Sequence, residues 1–125
     1  MFIENEMVTD QELLTVYIQN KSDDAFAQIV QRHSGLVYSV CFRILGDRHA
    51  AEDASQAAFI LLTRKAQTLP ADTVLSGWLV RAAQNTAREF RRAATRRLKH
   101  EREASTVNTQ NTEEHVWANI LPQLD

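Results

Sequence analysis

The sequence predicts an all-α fold: a compact bundle of about four helices followed by a flexible polar C-terminal tail. Three observations carry this. Only three glycines and two prolines interrupt 125 residues. Apolar residues recur every three or four positions over most of the chain, the spacing that puts them on one side of a helix. No pair of alternating apolar and polar runs offers two strands to one another. With 44% hydrophobic residues, the length suits one domain with a true core and is too short for two ordinary ones.

The first helix, about residues 9–20, opens at Thr9-Asp10-Gln11-Glu12. This is a capping box, in which a threonine oxygen and a glutamate three residues later each satisfy a free amide. The second, about 22–45, begins at Ser22, whose hydroxyl can cap while Asp23 and Asp24 complement the positive helix end. Phe26, Ile29, Val30, His33, Leu36, Val37, Val40, Ile44 and Leu45 keep helical spacing along it, and Gly46 supplies the left-handed stop. The third, about 48–66, is capped by Asp47. It buries Ala54, Ala57, Ala58, Leu61 and Leu62, small residues that imply close helix approach. Thr68-Leu69-Pro70-Ala71-Asp72 then breaks the pattern, since proline cannot extend a helix from within. The fourth helix is expected from about Thr73 to Lys99. Ser105 to Thr112 is polar and aperiodic, which predicts a flexible segment, and Trp117, Ile120 and Leu121 suggest a further short element. The expected division is a domain over 1–102 and a linker over 103–125.

The net charge of −2 conceals a strong asymmetry. Met1 to Leu62 carries four basic and nine acidic residues, whereas Arg81 to Arg102 carries eight basic and two acidic. The segment after it returns to acidic. One short stretch therefore holds more than half of the positive charge, a distribution expected of a surface that meets a polyanion.

Several functions are excluded or disfavoured. A single cysteine, Cys41, cannot form an internal disulfide, so a stapled secreted scaffold is excluded and a reducing cytoplasm is expected. No apolar run approaches the roughly 18 residues a membrane span needs, and no basic start with an apolar run marks export. His33, His49, His100 and His115 lack the spacing of a metal site, and neither a phosphate-binding glycine loop nor a nucleophile motif is present. No cofactor, no metal and no enzymatic activity are expected. His33 takes a core-spaced position as a hydrogen-bonded histidine, and Cys41 packs in or beside the core.

At about 100° per residue, the fourth helix sorts into two faces. Leu79, Ala82, Ala83, Thr86 and Phe90 share one, while Arg81, Asn85, Arg88 and Arg92 form a narrow stripe on the other. Arg91, Arg96, Arg97 and Lys99 widen that stripe toward the C-terminal end. Arginine can hold a phosphate or a guanine edge with two hydrogen bonds, and an asparagine within the stripe can both donate to and accept from a base. A merely solvated helix face is the plainer explanation. It predicts many acidic counter-charges, and only Glu89 lies between Arg81 and Lys99. The pattern alone supports polyanion contact, with the polyanion unnamed.

Four stretches narrow it. DDAFAQIVQRHSGLVYSVCFRILGD from Asp23, AEDASQAAF from Ala51, GWLVRAAQNTAREFRR from Gly77 and WANILPQLD from Trp117 follow in order. Together they resemble region 2 of the extracytoplasmic-function group of sigma-70 family RNA polymerase sigma factors. The resemblance implies a helical domain that docks on core RNA polymerase and captures the melted minus-ten element of a promoter. By that resemblance Trp78 and Leu79 take the place of the family's Trp-Leu pair. Arg81, Asn85 and Arg88 would contact the non-template minus-ten strand, Arg91 and Arg92 would hold phosphates upstream of it, and Arg96 counts with them among the DNA-binding residues. The loop from Gln67 to Ser76 corresponds to the family's pocket for a flipped-out base. An inhibitory anti-sigma partner is also implied.

Glu52, Asp53 and Gln56 lie three and four residues apart, so one face of the third helix can carry all three. In the family this position meets the coiled coil of the polymerase β′ subunit. The plainer explanation is a solvated face with early carboxylates favoured by the helix dipole.

Two departures from the family stand out. Between Thr63 and Phe90 the only aromatics are Trp78 and Phe90, which leaves few rings for base stacking. The sequence also stops at WANILPQLD, where the family continues into a helix-turn-helix domain for the minus-35 element. A fragment and a free-standing region 2 both fit. Two rival functions share the composition: a sigma-like interaction module with a basic face that binds a regulator and no promoter, and a nonspecific nucleic-acid binder.

Overall fold

The computed structural model describes residues 8–104, folded into α1 (Asp10–Asn20), α2 (Asp23–Leu45), α3 (Arg48–Lys65) and α4 (Leu75–Glu103), with one 3-10 turn at Ala66–Thr68 after α3. The tail and short element expected over 105–125 lie outside the described residues. Among those described there is no strand, so the architecture is all-α. No described helix is long and apolar enough to cross a membrane.

The caps form where the residue types place them. Thr9 Oγ1 accepts from the Glu12 amide at 3.1 Å, and the Thr9 amide donates to Glu12 Oε1 at 3.0 Å, closing the capping box. Ser22 accepts from the Ala25 amide and Asp47 from the Ala50 amide, which start α2 and α3. Gly46, at φ 69°, ends α2 in the left-handed region and donates to the Phe42 carbonyl at 2.7 Å. A side chain would cost conformational energy at this φ.

The fourth helix starts two residues later than its sequence pattern suggests. Pro70 to Thr73 closes a turn: the Thr73 amide and hydroxyl both donate to the Pro70 carbonyl, at 3.0 and 2.7 Å. Those bonds hold Thr73 out of the helix. Val74 becomes the N-cap and offers no side-chain bond. At the other end the helix continues to Glu103, beyond Lys99.

α2 packs against each of the other three helices, and α3 packs against α4. Ile29, His33, Val37 and Cys41 of α2 are buried. Leu36, which shares the spacing of that stripe, is 45% exposed. An i, i+4 row drifts about 40° per step, so at this height the buried line has moved on to Val37 and Leu36 is left at its margin. The alanine stripe of α3 is buried as its pattern requires, with Ala51 and Phe59 added to it. Ala82, Ala83 and Ala87 face inward on α4. Small residues on both helices permit close approach, and Cys41 Sγ, 3.8 Å from the Ala83 carbonyl, ties α2 to the same region. Burial raises the Cys41 thiol pKa, with a hydrogen bond to Ser55 opposing.

Candidate nucleic-acid interface

The two faces of α4 separate in space as their spacing predicts. Leu79, Ala82, Ala83 and Thr86 are buried, and Trp78 and Phe90 pack partly against the core. Arg81, Arg88, Arg91, Arg92 and Arg97 are exposed, while Asn85 and Arg96 are half-buried. The apolar side fixes the helix in the bundle and thereby fixes the direction in which the arginines project. Arg91, Arg92, Thr95 and Arg96 line an open cleft of about 300 Å³ near the C-terminal half. The Thr95 hydroxyl is turned to the Arg91 carbonyl at 3.0 Å, so the cleft's ionic character comes from the three guanidinium groups.

Sequence spacing alone did not mark Glu89 as part of this site. It is 2% exposed. Arg92 Nη1 donates to its Oε1 at 2.8 Å, and Arg92 itself stays 56% exposed at the side chain. The signal was available. Glu89 lies seven residues after Ala82 and four before Ala93, within the buried row of the helix. A buried carboxylate needs a partner, and the arginine three residues on is placed to supply it.

The loop between α3 and α4 is backed by α1. Gln11 Nε2 donates to the Thr73 carbonyl at 3.4 Å. Gln11, Leu14, Thr15 and Gln19 of α1 face Leu69, Pro70 and Ala71 across a groove of about 190 Å³. The sequence places the loop as a segment; that α1 forms its opposite wall follows only from the tertiary packing of α1 on the α2 surface.

Glu52, Asp53 and Gln56 are all exposed on α3. Arg48 Nε lies 3.6 Å and His49 Nδ1 3.9 Å from the Glu52 carboxylate. These pairs are open to solvent and contribute little to stability. Asp53 makes no ion pair among the described residues, and Ile60, one turn beyond Gln56, is 44% exposed. The acidic face therefore runs into an apolar position on the same side of the helix.

Comparisons with known proteins identify the family of the chain and some of its relatives. Residues 29–97 match the family model for sigma-70 region 2. The chain is 37% identical over 68 residues to the ECF RNA polymerase sigma factor SigW of Bacillus subtilis, an alignment covering 54% of this chain and 36% of that protein. It is 36% identical over 58 residues to the ECF RNA polymerase sigma factor SigE of Mycolicibacterium smegmatis, covering 46% of this chain and 22% of that one. The matched part is thus about a third or less of each of these relatives. No solved structure matches the chain. The family match takes in the exposed acidic face of α3, the loop and the arginine stripe of α4, and on it the chain belongs to the sigma-70 region 2 family, with ECF sigma factors among its relatives.

Proposed function

We propose that the chain acts as region 2 of an ECF sigma factor in transcription initiation in the bacterial cytoplasm, docking on core RNA polymerase and binding the minus-ten element as a single strand. The observation that carries this is α4, buried along one side and arginine-rich along the other, within a chain of the sigma-70 region 2 family. Arg81, Asn85 and Arg88, with Trp78 at the head of the stripe, contact the non-template strand. Arg91, Arg92 and Arg96 hold its phosphates. The groove between α1 and residues 69–71, in the loop that precedes α4, receives a base displaced from the stack, which stabilises strand separation without ATP. Glu52, Asp53 and Gln56 dock on the β′ coiled coil, where carboxylates and an amide suit a partner helix bearing arginines. An anti-sigma factor would act by covering these faces. The role is one of binding, with no catalytic step of its own.

The test is selection of single-stranded oligonucleotides from a random pool by the chain together with bacterial core RNA polymerase. The expected outcome is enrichment of a common short element, lost on Asn85→Ala while total binding is largely kept. Enrichment of no element would make the chain a nonspecific binder, and failure to associate with core polymerase would favour an interaction module that does not engage a promoter.

A further inference from the structure

The buried Glu89 has no part in the contacts proposed above, yet it touches one of the residues assigned to them. Its side chain is 3% exposed and its carboxylate meets Arg92 at 2.8 Å, whereas the Arg92 side chain is 56% exposed. An arginine on a helix surface ordinarily samples many rotamers. A carboxylate held inside the protein removes most of that freedom, because the bond to it is charge-assisted and breaking it would leave a buried charge unpaired. Guanidinium has five N–H donors, and one bond to Glu89 leaves others available. Arg92 is also one wall of the cleft formed with Arg91, Thr95 and Arg96. Arg91 and Arg96 have no ion pair among the described residues, so Arg92 is the one member of the cleft anchored from inside the fold.

We infer that Glu89 is a positioning residue: it fixes Arg92 as the rigid wall of a phosphate-holding cleft on α4, the other walls being the unanchored Arg91 and Arg96. This rests on the proposed DNA contact of α4. Glu89 does not touch the nucleic acid; it acts through Arg92. The geometry has a cost built in, since the carboxylate also offsets part of the positive charge of the cleft. Loss of position and loss of charge must therefore be separated by the choice of variant.

Glu89→Asp keeps the charge and withdraws it by one methylene, so that Arg92 can follow it only by leaving its place in the cleft wall. Affinity of the full chain for a labelled single-stranded oligonucleotide of mixed sequence is measured for wild type, Glu89→Asp, Arg92→Ala and the double variant, with thermal unfolding followed separately by circular dichroism. The expected result is several-fold weaker binding for Glu89→Asp and for Arg92→Ala, with no further loss in the double variant. An equal loss from Glu89→Asp in both backgrounds would reduce Glu89 to a structural residue and overturn the inference, leaving the DNA contact intact. An Arg92→Ala variant that binds like wild type would overturn the DNA contact at this position and the inference with it. If Glu89→Asp does not fold, Glu89→Gln enters the same cycle: the missing charge acts with and without Arg92 and cancels in the comparison, whereas the weakened hold on Arg92 does not. Binding relative to the matching background must then be weaker with Arg92 present than with alanine in its place, and an equal effect in both backgrounds would overturn the inference.

Discussion

His33 Nε2 on α2 lies 3.0 Å from Asp10 Oδ2 on α1, and Arg32 donates to the other oxygen of the same carboxylate at 3.3 Å. Asp10 thus joins α1 to α2 through two neighbouring residues. His33 is 8% exposed and needs such a partner, since a buried ring nitrogen without one loses its bonds to water. Asp10→Ala is expected to destabilise the domain by about 1–2 kcal/mol, the range for a partly exposed bond to a charged acceptor. Urea unfolding followed by circular dichroism measures it. A variant as stable as wild type would show that the Asp10 bonds contribute nothing to holding α1 on α2.

The capping box makes α1 sensitive to acid. The Thr9 amide, and then its hydroxyl, hold the Glu12 carboxyl below its ordinary pKa. A carboxyl with a lowered folded pKa stabilises the folded state above the unfolded value, about 4.3, and that contribution is lost as pH falls through the lower folded value. Wild type is expected to lose stability over this window relative to Glu12→Gln, whose side chain does not titrate. Parallel pH profiles for the two proteins would refute the link.

Cys41 titrates in the opposite direction. Burial raises its thiol pKa, so the folded state keeps the proton that the unfolded chain releases near 8.5. Stability from this group is complete below the unfolded value and declines as pH rises toward the folded one. In the native protein at pH 8, iodoacetamide should modify Cys41 no faster than the chain unfolds. Modification as fast as that of a free thiol would contradict its burial beneath α4.

Much of the fold is legible in the sequence because its signals are local. Thr9, Ser22, Asp47 and Gly46 mark helix ends through bonds to residues three or four positions away. The alanine row of α3 marks its own buried face. What is not legible depends on distant packing. The groove at Pro70 exists because α1 returns to it from 62 residues earlier, through Gln11 and Thr73. The start of α4 is displaced by a turn that Thr73 closes on Pro70. Glu89 is an intermediate case. Its helical position places it on the buried row, but its identity as an acid assigns it to the charged face, and the Arg92 bond resolves that conflict in favour of position.

The docking face yields a separate expectation. Asp53 is exposed and unpaired among the described residues, so reversing its charge disturbs no internal contact. Asp53→Arg should leave helical content and unfolding temperature unchanged and abolish co-purification with core RNA polymerase. Retained co-purification would remove α3 from the docking surface.

The arginine face of α4 is proposed to hold the phosphates of a single strand. Binding of the chain to a minus-ten oligonucleotide, measured against salt concentration for wild type and for Arg88→Ala with Arg92→Ala, tests it most directly. Each phosphate contact on a single strand contributes about 0.7 to the slope of log affinity on log salt, so the double variant should bind more weakly with a slope shallower by about 1.4. An unchanged slope would contradict the claim.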